Sequence, residues 1–303
     1  MIEEFQGGSQ SIFTNRVNPD ESYLYHYTSA STLARILESR ALMMGPYSAT
    51  NDPRETSGWG GSIELTHDEA LDQPEEIGRL WSLVRDAREG VKLACFTLDR
   101  ETDQPTFRLP FHRGWARARM WHQYADRHSG VCLIFDRERW GESLQLLSEE
   151  NSFDIHEGAI TYEDVKLGHY QRILTYSSDE LRAGQVKDAI ARIVRDHRDD
   201  LFFKKNRDWE SENEYRYLAI GEAEKEFVPI ATSLVGIVLG QDFPDTEVAV
   251  LADRLRRNGL EQVKCARLSW SDGGPSIMVD HDSQGRGVLA LLPTDLSSVH
   301  RGD

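Results

Sequence analysis

The sequence predicts a single α+β domain in which a mixed sheet is flanked by helices. Short apolar runs rich in β-branched and aromatic residues alternate irregularly with segments of helical period, the pattern of that class. No self-similar period and no long linker divides the chain. Strict β-α-β alternation is missing, as are a G-x-G-x-x-G turn and a P-loop, so a doubly wound nucleotide-binding sheet is not expected. At 303 residues and 39% hydrophobic, the chain can bury a substantial core. The expected division is an N-terminal segment over 1–19, one domain over 20–282 and a loosely held polar tail over 283–303.

Residues 23–27, Tyr-Leu-Tyr-His-Tyr, read as a strand whose period of two puts Leu24 and His26 on one face and the tyrosines on the other. Ser29 or Ser31 then caps a helix carrying Leu33, Ile36 and Leu37 at helical spacing. The run from Ala41 is a short strand, and residues 46–55 read as a loop because an Asn-Asp-Pro sequence disfavours helix before the proline. Ile77, Leu80, Trp81 and Val84 mark an amphipathic helix over 75–89, followed by a buried strand over 91–98. Residues 99–110 read as an exposed loop. A helix is then expected from Arg113 to near Gly130, and after it the strand 131–136. Further helices are expected at 137–148 and 178–201. Strands are expected near 155–162, 213–220, 226–231, 234–239 and 262–269.

A formal net charge of −16 and a pI near 5.1 repel polyanions, so long duplex DNA and acidic membranes are poor partners. A short single strand or a protein side chain escapes that argument. The opening residues MIEEFQGGSQ lack the basic and apolar regions of a leader, and no run approaches the roughly 20 apolar residues of a membrane span. A cytoplasmic protein is expected. Cys95, Cys132 and Cys265 lie far apart inside apolar runs, as buried reduced thiols do. The chain has no G-x-S-x-G, H-E-x-x-H or C-x-x-C. His122 and Asp126 stand four apart on the expected helix and read as a solvated pair before a metal site, and no metal is expected.

Two segments invite a chemical reading. His26 ends a strand beside a helix start, where an imidazole can hold a ribose hydroxyl or a phosphate, or can equally be a core residue bonded to backbone. In residues 206–221 a strand places Glu212, Glu214 and Arg216 on one face and Tyr215, Tyr217 and Ala219 on the other. Three charges on one face put that strand at a solvent edge or in a cleft. Arg113, Arg117, Arg119 and Arg127 form a basic cluster suited to phosphate, or to a solvated helix face.

Four ordered blocks carry a resemblance. They are Y-H-Y-T-S-x-x-T-L-x-x-I-L at 25–37, N-D-P-x-E at 51–55, M-W-x-x-Y-A-x-x-x-x-G-V-C-L-x-F-D at 120–136 and W-E-x-E-x-E-Y-R at 209–216. Together they resemble a widespread bacterial family known as a domain of unknown function. More distantly, the first block resembles the opening of the ADP-ribosyltransferase fold in its diphtheria-toxin-like and DNA-modifying toxin branches. That resemblance implies a split central sheet and NAD as substrate. It implies His26, Glu214 and Glu212 as catalytic groups, and His26, Tyr27, Thr28, Asn51, Trp121, Tyr124 and Arg216 as NAD-binding. The ring over the nicotinamide stays open among Tyr47, Trp121 and Tyr124.

The chemistry suits these residue types. Cleaving nicotinamide from ribose develops positive charge at the anomeric carbon, which a fixed carboxylate stabilises more than it stabilises the substrate. The resemblance therefore implies an ADP-ribosyltransferase, of toxin or phage-defence type, acting on an unidentified protein or nucleic acid. A nucleotide-sensing or interaction protein on the same fold, or an NAD glycohydrolase, are the alternatives. The enzymatic expectation requires His26 and Glu214 to serve one nucleotide.

Overall fold

A computed structural model describes residues 11–13, 22–56, 62–64, 74–100, 110–164, 175–177, 186–221, 226–271, 273–278, 280–281 and 287–288. Most of the expected N-terminal segment, the 283–303 tail and the 99–110 loop falls outside them. In chain order the strands are β1 (Tyr23–Thr28), β2 (Ala41–Pro46), β3 (Ser62–Glu64), β4 (Val91–Thr97), β5 (Val131–Asp136), β6 (Asp154–Ala159), β7 (Thr161–Tyr162), β8 (Thr175–Ser177), β9 (Lys204–Lys205), β10 (Glu214–Ile220), β11 (Glu226–Pro229), β12 (Leu234–Leu239), β13 (Lys264–Ser271), β14 (Gly274–Met278), β15 (Asp280–His281) and β16 (Gly287–Val288). Strands and helices mix as an α+β protein requires.

The chain forms two interleaved compact units. One comprises Met1–Leu42, Phe96–Leu147 and Val228–Asp303, the other Met43–Cys95 and Ser148–Phe227. The crossings fall inside β2, β4, β11 and the helix Arg137–Asn151 rather than in polar linkers. A search for linkers in the sequence therefore finds none.

In the first unit β1 lies antiparallel to β5, with His26 opposite Leu133, and antiparallel to the end of β4, with Tyr25 opposite Thr97. β5 pairs β12 antiparallel, β12 pairs β13 parallel and β14 returns antiparallel along β13. A parallel pair needs a crossover, here the helix Asp245–Arg257, which sequence patterning did not anticipate. Its apolar stripe of Leu251, Ala252 and Leu255 is buried, with acids in the first turn and arginines in the last, as the helix dipole favours. Tyr25, Tyr27, Cys132, Ile134, Val238, Ala266 and Leu268 build one core with Trp115 and Trp121. Phe96, Phe135 and Trp140 pack edge to face at 5.0–5.8 Å in another aromatic group.

The helix expected to run to Gly130 covers only Ala118–Tyr124. Asp126, Arg127 and His128 follow with φ of 44°, 52° and 73°, a left-handed turn that carries Asp126 off the helix and undoes its spacing with His122. The turn is clamped. Gly130 donates to the Ala125 carbonyl at 2.8 Å, Asp242 to that of His128 at 3.0 Å, and Gly240 to that of Gly130 at 2.9 Å. A methyl at Gly130 would lie 2.4 Å from the Thr28 carbonyl oxygen, and one at Gly240 would lie 1.9 Å from that of His128. Much of the M-W-x-x-Y-A-x-x-x-x-G block is thus explained by packing. Trp121 is sealed with its indole donating to the Trp115 carbonyl at 2.7 Å, and Ala125 and Gly130 permit the turn.

In the second unit β10 lies antiparallel to β6, with Arg216 opposite Gly158, and also pairs β4, which pairs β2 at Gly45 and Leu93. Two short parallel pairs, β7 with β9 and β3 with β8, complete it. Tyr47, Val84, Val91, Leu93, Ile193, Leu201, Phe202 and Leu218 form its core, and the Tyr47 hydroxyl donates to the Leu201 carbonyl at 2.8 Å. Of the helix expected over 178–201, residues 178–185 lie outside the described residues. The remainder breaks at His197 into Val186–Asp196 and Arg198–Phe202. The 46–55 loop holds short helical turns at Tyr47–Ala49 and Pro53–Thr56.

Gly130→Ala is expected to cost about 3 kcal/mol in urea denaturation, because neither facing backbone atom can withdraw. Gly141→Ala, on an open stretch of the helix Arg137–Asn151, is expected to add about 0.5–1 kcal/mol instead.

Candidate functional site

His26 sits in β1 half-buried, its ring edge-on to Phe96 at 5.8 Å. Three residues on, Ser29 caps the helix Ala30–Ser39, its hydroxyl accepting from the Thr32 amide at 3.0 Å. The Ser29 hydroxyl lies 3.0 Å from those of Ser31 and Thr32, and Arg35 donates to Thr32 at 3.2 Å. Thr28 is buried. Tyr27 is also buried, donating to the Gly114 carbonyl at 2.6 Å with its ring edge-on to Trp121 at 5.2 Å. Both rings belong to the core of the first unit, while Tyr124 is half-exposed.

The four arginines divide. Arg113 is sealed, 3.5 Å from Asp99 and donating to the Ile12 carbonyl, and Arg117 is buried and donates to the Leu98 carbonyl at 2.9 Å. Arg119 and Arg127 are exposed. Asp99 also accepts from the Gly114 amide at 2.6 Å and the Tyr25 hydroxyl at 3.1 Å, so the start of the expected 99–110 loop is anchored.

In the second unit the charged residues predicted at a solvent edge or cleft are enclosed. Glu212, Glu214 and Arg216 have 3%, 5% and 0% relative exposure. β10 begins at Glu214, so Glu212 does not share its strand; it ends the turn Arg207–Glu212, and Asn213 takes a left-handed φ of 48° between them. They meet through Lys205, whose Nζ lies 2.9 Å from Glu212 Oε2 and 2.6 Å from Glu214 Oε2. Arg216 grips the same Glu214 carboxylate through Nε and, at 3.3 Å, Nη2. Its Nη1 donates to the Phe202 carbonyl at 2.8 Å and lies 2.5 Å from Glu55 Oε1. The Glu214 amide donates to the Tyr162 hydroxyl at 2.8 Å, and Lys205 Nζ stands 5.2 Å from the centre of the half-buried Trp209 ring.

The electrostatics follow from these contacts. Burial alone would push the Glu214 carboxyl up, but the charges of Arg216 and Lys205 and their hydrogen bonds hold it at about 2. Lys205 keeps its proton despite burial, because Glu214 and Glu212 outweigh the lost solvation and the repulsion of Arg216. Burial raises the nearby Cys95 thiol, and the Glu214 charge adds to that rise. Cys132 and Cys265 are buried and free.

Sequence patterning missed Glu55, Lys205, Tyr162 and Trp209. Glu55 and Trp209 stand inside quoted blocks without an assigned chemical role, whereas Lys205 and Tyr162 lie in short strands with no signal of their own. Asn51 is exposed and its neighbour Asp52 is buried, accepting from the Arg54 amide at 2.9 Å. Among the described residues no group of His, Cys, Asp and Glu is arranged to hold a metal ion, and no helix is long and apolar enough to cross a membrane. Among the described residues an open groove of about 560 Å³ lies beside Asp136, Arg139 and Lys264, and another of about 430 Å³ beside His156, Arg198 and Phe203.

Residues 120–217 match the model of a family described as a protein of unknown function, DUF2971. The span takes in the left-handed turn and the cluster residues Lys205, Glu212, Glu214 and Arg216. Neither a curated protein nor a solved structure matches the chain.

Removing one partner of a buried pair strands the other's charge, so Arg216→Met is expected to cost about 3–5 kcal/mol in urea denaturation. The Glu214 carboxyl is depressed below its usual 4.5 in the folded state, so its stabilisation is full above pH 4.5 and drains as pH falls toward about 2. Stability measured across that window should fall less in Glu214→Gln than in the parent, from a lower starting point.

Proposed function

We propose that the chain is an NAD-dependent ADP-ribosyltransferase, in which Glu214 stabilises the ribose cation that forms as nicotinamide leaves and His26 holds the adenosine-side ribose. The charge state of Glu214 carries this reading. A buried carboxylate ordinarily takes up a proton, yet this one is held ionised at about 2 and fixed in direction by Arg216. An ionised carboxylate held away from water stabilises a nearby cation more than solvent does.

In the proposed step the bond between the nicotinamide nitrogen and ribose C1′ breaks, and nicotinamide departs neutral with the electron pair. The acceptor's nucleophile then bonds to C1′ and passes its proton to a carboxylate, the role the resemblance gives Glu212. The half-buried His26, two residues inside the C-terminal end of β1 rather than at it, precedes the Ser29-capped helix, and this order along the chain supports the ribose assignment. A toxin or phage-defence role, the split-sheet fold family and an acceptor of protein or nucleic acid rest on the resemblance alone.

One observation favours a second reading. Lys205 bridges Glu212 and Glu214 and both are enclosed, which suits a nucleotide-sensing or interaction protein whose ion cluster serves only the fold.

Purified chain incubated with NAD is expected to release nicotinamide and to transfer ADP-ribose to an added acceptor. Glu214→Gln should slow release by roughly 10²–10³-fold, and His26→Ala should raise KM for NAD without unfolding the chain. Release with no adduct would point to a glycohydrolase. Neither release nor NAD binding would leave the sensing and interaction reading.

A further inference from the structure

β6 has one paired edge and one open one. Its ladder partner is β10, and the Ile160 amide donates to the Glu214 carbonyl at 2.9 Å, so the register turns the backbone groups of Asp154, His156 and Gly158 toward β10. Those of Ile155, Glu157 and Ala159 point the other way, and among the described residues they have no hydrogen-bond partner. The groove of about 430 Å³ runs along this open edge, lined by residues 155–159 together with Arg198, Asp199, Phe203 and Lys204, all within the second unit. A methyl at Gly158 would meet the Phe203 ring at 3.3 Å, so glycine lets that ring lie against the strand.

The chain itself pairs along this edge. Just beyond β6, the Thr161 amide donates to the Phe203 carbonyl at 2.8 Å and the Glu163 amide to that of Lys205 at 3.0 Å, which makes the parallel β7–β9 pair. β9 is only two residues long, and the residues before it are helical over Arg198–Phe202, so the pairing stops where β6 lies. The rim there is acidic. Asp154, Glu157 and Asp199 are exposed, and Glu163 and Asp200 hold the Lys204 ammonium at 2.8 and 2.6 Å. Only Arg198 and Lys204 stand against these carboxylates, because burial and the Arg198 charge keep His156 below its ordinary value and neutral at pH 7. A second copy of the chain brings the same acids and a formal net charge of −16 to the edge, and is repelled. A positively charged segment meets no such barrier.

We infer that the open edge of β6 receives an extended basic segment of a partner protein, added as a further strand. Its backbone pairs with Ile155, Glu157 and Ala159, and its lysines or arginines meet Asp154, Glu157 and Asp199. Main-chain hydrogen bonds supply the affinity, and charge selects the partner. The inference is independent of the transferase reading, since it involves neither NAD nor the buried cluster.

The probe is a fluorescein-labelled hexapeptide of alternating lysine and valine, compared by anisotropy with a glutamate–valine counterpart and with the lysine peptide N-methylated at every residue. The parent should bind the lysine peptide saturably and less tightly as salt is added. Binding should be at least tenfold weaker for the glutamate peptide, for the N-methylated peptide and for the Glu157→Lys chain. In the complex the amides of Ile155, Glu157 and Ala159 should exchange with deuterium more slowly, a readout on the parent that needs no variant to fold. Ala159→Pro removes a groove-facing N–H but no β10 hydrogen bond, and should weaken the peptide by a similar factor. Absence of saturable binding, equal binding of the N-methylated peptide, or unchanged exchange at those three amides would each overturn the inference. A concentration-dependent dimer abolished by Ala159→Pro would also overturn it, giving the edge to a second copy.

Discussion

Burying five ionisable side chains in one cluster requires close partners, and in the second unit Arg216 supplies them to Glu214 and Glu55. Its guanidinium reaches Glu214 with Nε and Nη2 and Glu55 and the Phe202 carbonyl with Nη1. A lysine could not reproduce this planar fork. Through Arg216 the segment at Glu55, the end of the helix Arg198–Phe202 and the start of β10 are tied to one point, and Lys205 adds the turn that ends at Glu212. Two of the four sequence blocks, N-D-P-x-E and W-E-x-E-x-E-Y-R, thus meet in a single electrostatic unit.

The other two blocks also explain each other. Tyr27 and Trp121 pack edge to face in the core of the first unit, and Tyr27 lies opposite Cys132 across the β1–β5 pair. Their rings therefore hold the sheet to the short helix Ala118–Tyr124. That placement weakens Trp121 as a ring to cover nicotinamide, because it is sealed and its indole is already donated to the Trp115 carbonyl.

Local pattern made much of the fold legible. β1, the helix with Leu33, Ile36 and Leu37, β4, β5 and β12 follow from period and composition, because their apolar residues face a core directly. The helix Asp245–Arg257 escaped because three buried residues are a thin stripe among many charges. The true length of the Trp121 helix escaped because left-handed residues such as Arg127 leave no mark in hydrophobic period. For the same reason alternation carried the Glu214 strand back through Asn213 to Glu212, where the chain in fact turns. Pairs such as Glu55 with Arg216 join distant segments, and periodicity holds no information about them. The two-unit division was invisible because the chain crosses within strands and a helix.

The buried cluster and the chemistry proposed for it both depend on Glu214 being a fixed, ionised carboxylate under strong pull from Arg216 and Lys205. A carbon-13 titration of the glutamate side-chain carboxyls, with the resonance assigned by Glu214→Gln, measures this directly. It should show one carboxyl titrating at about 2, well below its ordinary 4.5. A Glu214 resonance that titrates at or above 4.5 would mean that the cluster does not hold the charge, and would contradict both the structural role and the chemistry assigned to it.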